Sequence, residues 1–236
     1  MKLISFQVKF YLLILSLLTT INTEINAQDS PVANYLQQAG DFAILYNGRI
    51  EPFYSLLTYE SLPYYKSSDF AEASFIYKDN YYPNQKARLD LYREQLVLLP
   101  PEKRYGIIIS SQYVSKVFIY GKTFVFLNSP KEDGIKKGFY IQLFEGNKIK
   151  LLCKESYLPQ QKQITYSFDH KVIYYILYDD KYHNVKNKNS FINLFPEYKK
   201  QINQYVKDKK LNFRMNPEHS FTSLAVYCEH LLTSTK

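Results

Sequence analysis

The sequence predicts an α+β protein: an antiparallel, curved or partly closed β-sheet, built as a meander of hairpins, followed by two or three helices at the carboxyl end. In residues 28–188, apolar and polar residues alternate and turn dipeptides recur at hairpin spacing. From residue 189 onward, apolar residues recur every three or four positions, which is the period of a helix. The change of period predicts a β domain at 28–188 and a helical segment at 189–236 that packs on it.

Residues 1–27 have the layout of a cleaved secretory signal peptide. Lys2 and Lys9 precede an apolar run at residues 10–18, and a polar stretch then ends at Ala27. The run has about half of the roughly 17–25 residues that a membrane-spanning helix needs, so a membrane anchor is the weaker alternative. We expect cleavage after Ala27, no transmembrane segment in the mature chain, and a periplasmic or extracellular location.

Tyrosine and positive charge dominate the composition. The chain has 24 tyrosines, 16 phenylalanines, no tryptophan and a formal net charge of +8. Tyrosine favours strands and can bury its ring while its hydroxyl stays in water, so a sheet with half-exposed faces explains the excess; a ligand-contacting aromatic surface is the alternative. The charge favours anionic partners, which for an exported chain are an envelope protein, a polysaccharide or an anionic lipid surface rather than nucleic acid; a basic face that is simply solvated is the preferred interpretation.

Two hairpins open the β domain. The strong turn signal Asn47-Gly48 connects residues 42–46 to residues 49–51, and Pro52 keeps the second strand short or at an edge. Residues 78–80 then connect a strand at 74–77 to Tyr81-Tyr82.

The densest strand signals lie between residues 87 and 127. Ala87, Leu89 and Leu91 alternate with polar residues, which predicts a strand with one buried face. Residues 96–99 and 107–109 are continuously apolar, as in interior strands that are covered on both faces.

Further hairpins follow. Gly121-Lys122 predicts a type II′ turn, which pairs Val117 with Phe126. Gly146-Asn147 predicts a turn that places Glu145 opposite Lys148.

The last part of the β domain contains three short strands. Residues 163–168 and 172–178 are joined by a turn at 169–171, and a strand at 182–185 returns after the next turn. Together these signals predict about ten to twelve antiparallel strands.

Four elements of the chain recur together in other proteins: Tyr46-Asn47-Gly48, Pro63-Tyr64-Tyr65, the tyrosine-containing hairpin at 76–82, and Arg-Leu-Asp-Leu-Tyr-Arg at 88–93. With them, the chain resembles functionally uncharacterised, exported, β-rich bacterial proteins. The likeness covers roughly the middle half of the chain and the basic carboxyl-terminal helices. It implies export and a β-rich fold, and it brings no activity from which a catalytic residue can be assigned.

Three helical signals close the chain. Asn189 or Ser190 caps a short turn, and Pro196 suits the first position of the second helix. Asn216 caps a third helix that starts at Pro217. The apolar residues of the third helix are spaced by three and four and form one stripe: Phe221, Leu224, Ala225, Cys228, Leu231 and Leu232.

The two cysteines are predicted to be buried. Cys153 shares a strand face with Ile149 and Leu151, and Cys228 lies within the apolar stripe of the last helix. Export permits a disulfide between them if the helix docks near that strand, and two separate buried thiols are the alternative.

Five lysines of the second helix lie outside its apolar stripe: Lys199, Lys200, Lys207, Lys209 and Lys210. A lysine-rich helix face is usually solvated, and contact with an anionic surface is the alternative.

The sequence contains no motif for catalysis, a metal or a cofactor. His219 and His230 lie on nearly the same helical face but about 16 Å apart at 1.5 Å per residue, too far to share one ion. No nucleophile elbow or phosphate loop is present, and both Asp169-His170 and Asp179-Asp180 are predicted to be turns. No catalytic, cofactor-binding or metal-ligating residue is therefore assigned.

The function expected from these observations is that of an exported, non-enzymatic binding or interaction protein of the cell envelope. The alternative is an envelope hydrolase whose carboxylates are too far apart in sequence to form a motif. A binding protein should show an aromatic face, whereas a hydrolase should show polar groups that converge in a deep pocket with perturbed pKa values.

Overall fold

The computed structural model describes residues 45–55, 58–101, 103–128 and 135–234. The predicted signal peptide at 1–27 and the first-hairpin residues 42–44 lie outside the described residues. The described residues belong to one compact unit.

Eleven strands of the described chain form one antiparallel sheet, as predicted. Their bounds are β1 Arg49–Ile50, β2 Ala71–Tyr77, β3 Asn80–Asp90, β4 Gln95–Leu98, β5 Ile107–Ile108, β6 Val114–Ile119, β7 Lys122–Leu127, β8 Gly138–Glu145, β9 Ile149–Lys162, β10 Thr165–Tyr178 and β11 Lys181–Val185. The order in the sheet is β1-β5-β4-β3-β2-β6-β7-β8-β9-β10-β11. Over the described residues the sheet is not closed strand to strand.

A connecting segment at residues 58–65, here called the bridging segment, bonds to two distant strands. At one end, the Tyr166 amide of β10 donates to the Thr58 carbonyl at 2.7 Å. At the other end, the Tyr65 amide donates to the Leu89 carbonyl of β3 at 2.9 Å. Because β3 and β10 are six places apart in the sheet, one short segment can reach both only if the sheet curls. The sheet is therefore strongly curved.

One face of the sheet carries the main core. Phe75, Leu89, Val117, Phe124 and Ile141 come from five different strands and are all buried in one cluster. The alternation predicted for residues 87–91 places Leu89 in this cluster as expected. Leu96, Val97 and Leu98 of β4 are all buried, which confirms that this continuous apolar run is covered on both faces.

Three helices follow the sheet: α1 Lys188–Ile192, α2 Lys199–Asp208 and α3 Pro217–Ser234. Asn187, rather than Asn189 or Ser190, caps α1; its side chain accepts from the Ser190 amide while Ser190 bonds back. Pro196 opens a 3-10 turn that leads directly into α2. The predicted stripe of α3 packs on β8 and β9, where it forms a second apolar cluster with α1 and α2.

Several predicted turns are wrong in detail. The loop between β6 and β7 is Tyr120-Gly121, with φ values of 50° and 70°, so both residues are left-handed as a type I′ turn requires. Val117 consequently pairs with Phe124 instead of Phe126. Because this register differs by two residues, every side chain keeps its predicted face.

The predicted turn at 169–171 is also wrong. These residues continue β10 and pair with residues 156–158 of β9, so both strands are 14 residues long. Arg49–Ile50 pairs with Ile107–Ile108 of β5, while most of the other strand of the predicted first hairpin lies outside the described residues.

The β8–β9 loop is longer than predicted. Glu145 pairs with Lys150 rather than Lys148, and their side chains form an ion pair at 2.8 Å. The Glu229 carboxylate of α3 accepts hydrogen bonds from the amides of Asn147, Lys148 and Ile149 at 2.8–3.1 Å. The helix therefore determines the conformation of this loop.

Candidate functional site

The paired strands β9 and β10 carry a row of polar and aromatic side chains on the face of the sheet that covers the main core. Side chains alternate along β9, so Cys153, Glu155 and Tyr157 share one face. Tyr174 and His170 of β10 lie directly opposite Cys153 and Tyr157. Exposure rises along this face from Cys153, at 2%, to the side chain of His170, at 44%. The buried core thus opens to solvent along this strand pair.

Three other elements bring side chains to the same place. Tyr65 ends the bridging segment, Lys122 begins β7, and Glu218 lies in the first turn of α3. The resulting tyrosine–carboxylate cluster consists of Tyr65, Lys122, Glu155, Tyr157, His170, Tyr174 and Glu218.

Both carboxylates of the cluster contact a basic side chain. Glu218 forms an ion pair with Lys122, and Glu155 Oε2 lies 3.0 Å from His170 Nε2. The His170 ring also stacks on Tyr157, with ring centroids 5.0 Å apart. The cluster therefore combines hydrogen-bond acceptors with a half-exposed aromatic pair.

Three tyrosine hydroxyls of the cluster make no hydrogen bond within the described residues: Tyr65, Tyr157 and Tyr174. Tyr65 is only 4% exposed, yet its hydroxyl oxygen is not among the fully enclosed polar atoms that lack a partner. The hydroxyl therefore has no partner in the described chain and is not fully enclosed.

Burial and the two nearby carboxylates both raise the pKa values of tyrosines in this cluster. Burial raises the pKa of the Tyr65 hydroxyl, and Glu155 and Glu218 raise it further. The same carboxylates act on Tyr174, whose pKa is also raised chiefly by burial. Burial raises the pKa of the Cys153 thiol to about 12. The tyrosines are hydrogen-bond donors at neutral pH, and the cysteine is an unreactive thiol.

A second set of polar side chains is buried where the bridging segment meets β3. Glu51 accepts a hydrogen bond from the Tyr64 hydroxyl at 2.8 Å and pairs with Arg88. Asp90 accepts one from the Tyr54 hydroxyl at 2.7 Å. Since these partners satisfy the carboxylates internally, this network holds the bridging segment in place.

The network unites two of the four short elements singled out in the sequence. Tyr64 belongs to Pro63-Tyr64-Tyr65, and Arg88 and Asp90 belong to the 88–93 strand. Tyr65, the last residue of Pro63-Tyr64-Tyr65, is a member of the tyrosine–carboxylate cluster. These elements therefore build and position the candidate site.

The structure separates the two cysteines. Both are free and buried, Cys153 in the main core and Cys228 in the cluster beneath the helices. Both were predicted to face inward, and they do so without the disulfide.

The five lysines predicted to face outward are all exposed: Lys199, Lys200, Lys207, Lys209 and Lys210. Within the part of the chain that the structure describes, none of them forms an ion pair. Contact with an anionic surface stays a prediction.

The other residues considered for chemistry are dispersed. His219 and His230 are exposed on α3, and Asp179-Asp180 forms the β10–β11 turn beside a pocket of about 520 Å³. Among the described residues, no group of three or more histidine, cysteine or acidic side chains is arranged to hold a metal ion.

The sequence interpretation missed the cluster because it ended β9 too early. Cys153, Glu155 and Tyr157 continue the alternation that starts at Ile149, and this was the available signal. Tyr65, Lys122 and Glu218 gave no signal, because only the curvature of the sheet and the docking of α3 bring them to β9.

No protein-family model, curated protein or solved structure matches this chain. None of the described helices has the length and apolar character needed to cross a bilayer.

Proposed function

We propose that this chain is an exported, non-enzymatic binding protein of the cell envelope, and that its ligand contacts the tyrosine–carboxylate cluster. The observation that carries the proposal is the set of three unpartnered tyrosine hydroxyls beside two fixed carboxylates. Groups that stabilise only the fold are normally hydrogen-bonded to one another, as in the Glu51–Arg88 network. Hydroxyl groups next to acceptors and aromatic rings can supply the few placed polar contacts that orient a ligand.

The cluster supports binding more than hydrolysis. A glycosidase needs one carboxyl group that stays protonated in an apolar environment, next to a second, ionised one. Here Glu155 and Glu218 each contact a basic side chain. Neither carboxylate therefore lies in the apolar environment that such a general acid needs.

The binding proposal is tested with a chemically diverse fragment library and the isotope-labelled full chain in solution. We expect the largest amide shifts at Tyr65, Tyr157 and His170. Fragments that bind only elsewhere, for example around α2, would contradict the proposal. Turnover of a bound fragment would instead favour the envelope hydrolase.

Export is tested separately on protein from its native cells. The intact mass should correspond to a chain that starts near Gln28, and the protein should fractionate outside the cytoplasm. A cytoplasmic protein that retains residues 1–27 would refute this part of the proposal.

A further inference from the structure

We infer that the ligand of the tyrosine–carboxylate cluster is an uncharged carbohydrate. This inference rests on the proposed binding function and names the chemical class of its ligand.

The balance of charge in the site favours an uncharged ligand. Glu155 and Glu218 are accompanied by Lys122, and Lys66 lies 5.7 Å from the centroid of the Tyr65 ring. Two carboxylates thus stand beside two lysines and the His170 ring, so acidic and basic side chains are both present at the site. A cationic ligand would meet the lysines and an anionic ligand the carboxylates, so a charged ligand loses on one side what it gains on the other.

The donors and acceptors match the hydroxyl groups of a sugar. Each carboxylate keeps lone pairs beyond those used by its basic partner and can accept from ligand hydroxyls. The hydroxyls of Tyr65, Tyr157 and Tyr174 can each donate to a ligand oxygen, since none has a partner in the described chain. A ligand that both donates and accepts at neighbouring positions satisfies both sets.

The aromatic surface supplies the apolar part of the contact. Tyr157 and His170 stack at the exposed end of the cluster, with planes inclined by 28°. Each ring of the stacked pair keeps one outer face, and the C–H face of a sugar ring can pack on such a face. Tyr65 lies at the other end of the cluster and is 4% exposed, so the rings at the surface make the larger part of the contact.

The experiment measures binding of uncharged oligosaccharides to the full chain by calorimetry. The probes are maltohexaose, cellohexaose and N-acetylchitohexaose. The last of these has a matched cationic counterpart, the fully deacetylated chitosan hexamer, and hexagalacturonate provides the anionic comparison. We expect at least one uncharged probe to bind, and neither charged probe to bind more tightly than it does.

Two variants locate the binding site. Tyr65→Phe removes only an unpartnered hydroxyl, so we expect affinity for the best probe to fall about fivefold while the melting temperature is unchanged. Tyr157→Ala should weaken binding about tenfold through loss of the ring. The matched control is Tyr81→Ala, which removes a tyrosine of β3 that is 60% exposed and outside the cluster, and which should leave affinity unchanged.

The outcomes separate this inference from the proposal beneath it. If fragments shift the cluster but no uncharged oligosaccharide binds, the carbohydrate assignment is wrong and the binding function stands. If neither fragments nor oligosaccharides bind there, both are wrong. Tighter binding of the chitosan hexamer than of its acetylated counterpart, or equal losses in Tyr81→Ala and Tyr157→Ala, would also overturn the carbohydrate assignment.

Discussion

Asp90 shows how a single residue can organise a connection. The side chain is completely buried, and one carboxylate oxygen accepts from the amides of Tyr92 and Arg93, at 3.0 and 2.8 Å. The other accepts from Tyr54, which lies in the connection before the bridging segment. Burial raises the pKa of Asp90, although the hydrogen bonds from Arg93 and Tyr54 counteract part of the rise. The residue thus stabilises the turn after β3 at an electrostatic cost.

That cost gives Asp90→Asn a characteristic pH dependence. A pKa raised in the folded state favours the protonated form, so the associated stability is complete below the unfolded pKa of about 3.9 and is lost as the pH rises through the folded value. The asparagine variant lacks this pH-dependent contribution to the free energy of unfolding, because its side chain does not titrate. We therefore expect the stability advantage of the natural chain over Asp90→Asn to shrink as the pH rises above about 4. Urea unfolding across this range measures it, and an advantage that grows with pH would contradict the assignment.

A matched variant isolates the tyrosine partner of Asp90. Tyr54→Phe removes one hydrogen bond to a buried carboxylate and should cost about 1.5–3 kcal/mol. Measuring it beside Asp90→Asn shows how much of the stability depends on this one bond.

At the scale of elements, α3 and the β8–β9 loop depend on each other. The Glu229 carboxylate takes the place of a partner strand by accepting from the three consecutive loop amides of Asn147, Lys148 and Ile149. It also lies where a side chain at position 146 would be, since a Cβ added to Gly146 would come within 2.5 Å of it. A larger residue at position 146 would therefore displace the Glu229 carboxylate from the loop amides.

Glu229→Ala should loosen both elements at once. Loss of several hydrogen bonds to a carboxylate at a partly exposed site should cost about 1–3 kcal/mol. Hydrogen exchange should then accelerate in the loop and in the last turns of α3. The control is Glu197→Ala, which changes an exposed glutamate in the 3-10 turn before α2 and should leave both regions protected.

The two faces of α2 should respond very differently to substitution. Changing Lys199, Lys200 and Lys207 together to glutamine should shift the melting temperature by no more than a few degrees, because surface substitutions usually stay within about 0.5 kcal/mol each. Ile202→Ala on the buried face of the same helix should cost about 2–5 kcal/mol. A large loss in the lysine variant would mean that this face is part of an interface.

At the scale of the whole molecule, the described chain has two main apolar clusters. One is enclosed by the curved sheet, and the other lies between the sheet and the helices. Leu143 and Tyr174 pack against both clusters, so the two are in contact without a covalent link.

The separation of the clusters predicts two free thiols. Cys153 and Cys228 lie in different clusters, and burial raises the pKa of each thiol to about 12, which makes both slow to oxidise. Thiol titration of denatured, unreduced protein should therefore find two thiols per chain. A count of zero in a monomer would establish the disulfide and place α3 closer to β9.

The sequence by itself determined the properties that depend on neighbouring residues. Alternation placed Leu89, Val117 and Phe124 on the buried face, and the spacing of three and four placed Phe221 and Cys228 inward. Because a face depends only on the parity of a position, these predictions survived errors in turn type and register. The antiparallel sheet and the carboxyl-terminal helices were predictable for the same reason.

Only the tertiary structure decided where distant segments meet. Asp169-His170 has the composition of a turn, but pairing with β9 supplies hydrogen bonds that outweigh this local preference. The tyrosine–carboxylate cluster likewise exists because the bridging segment draws β3 and β10 together and α3 docks on β9, which brings Tyr65 and Glu218 to Glu155. Neither event leaves a periodic signal, since each depends on contacts between residues far apart in the chain.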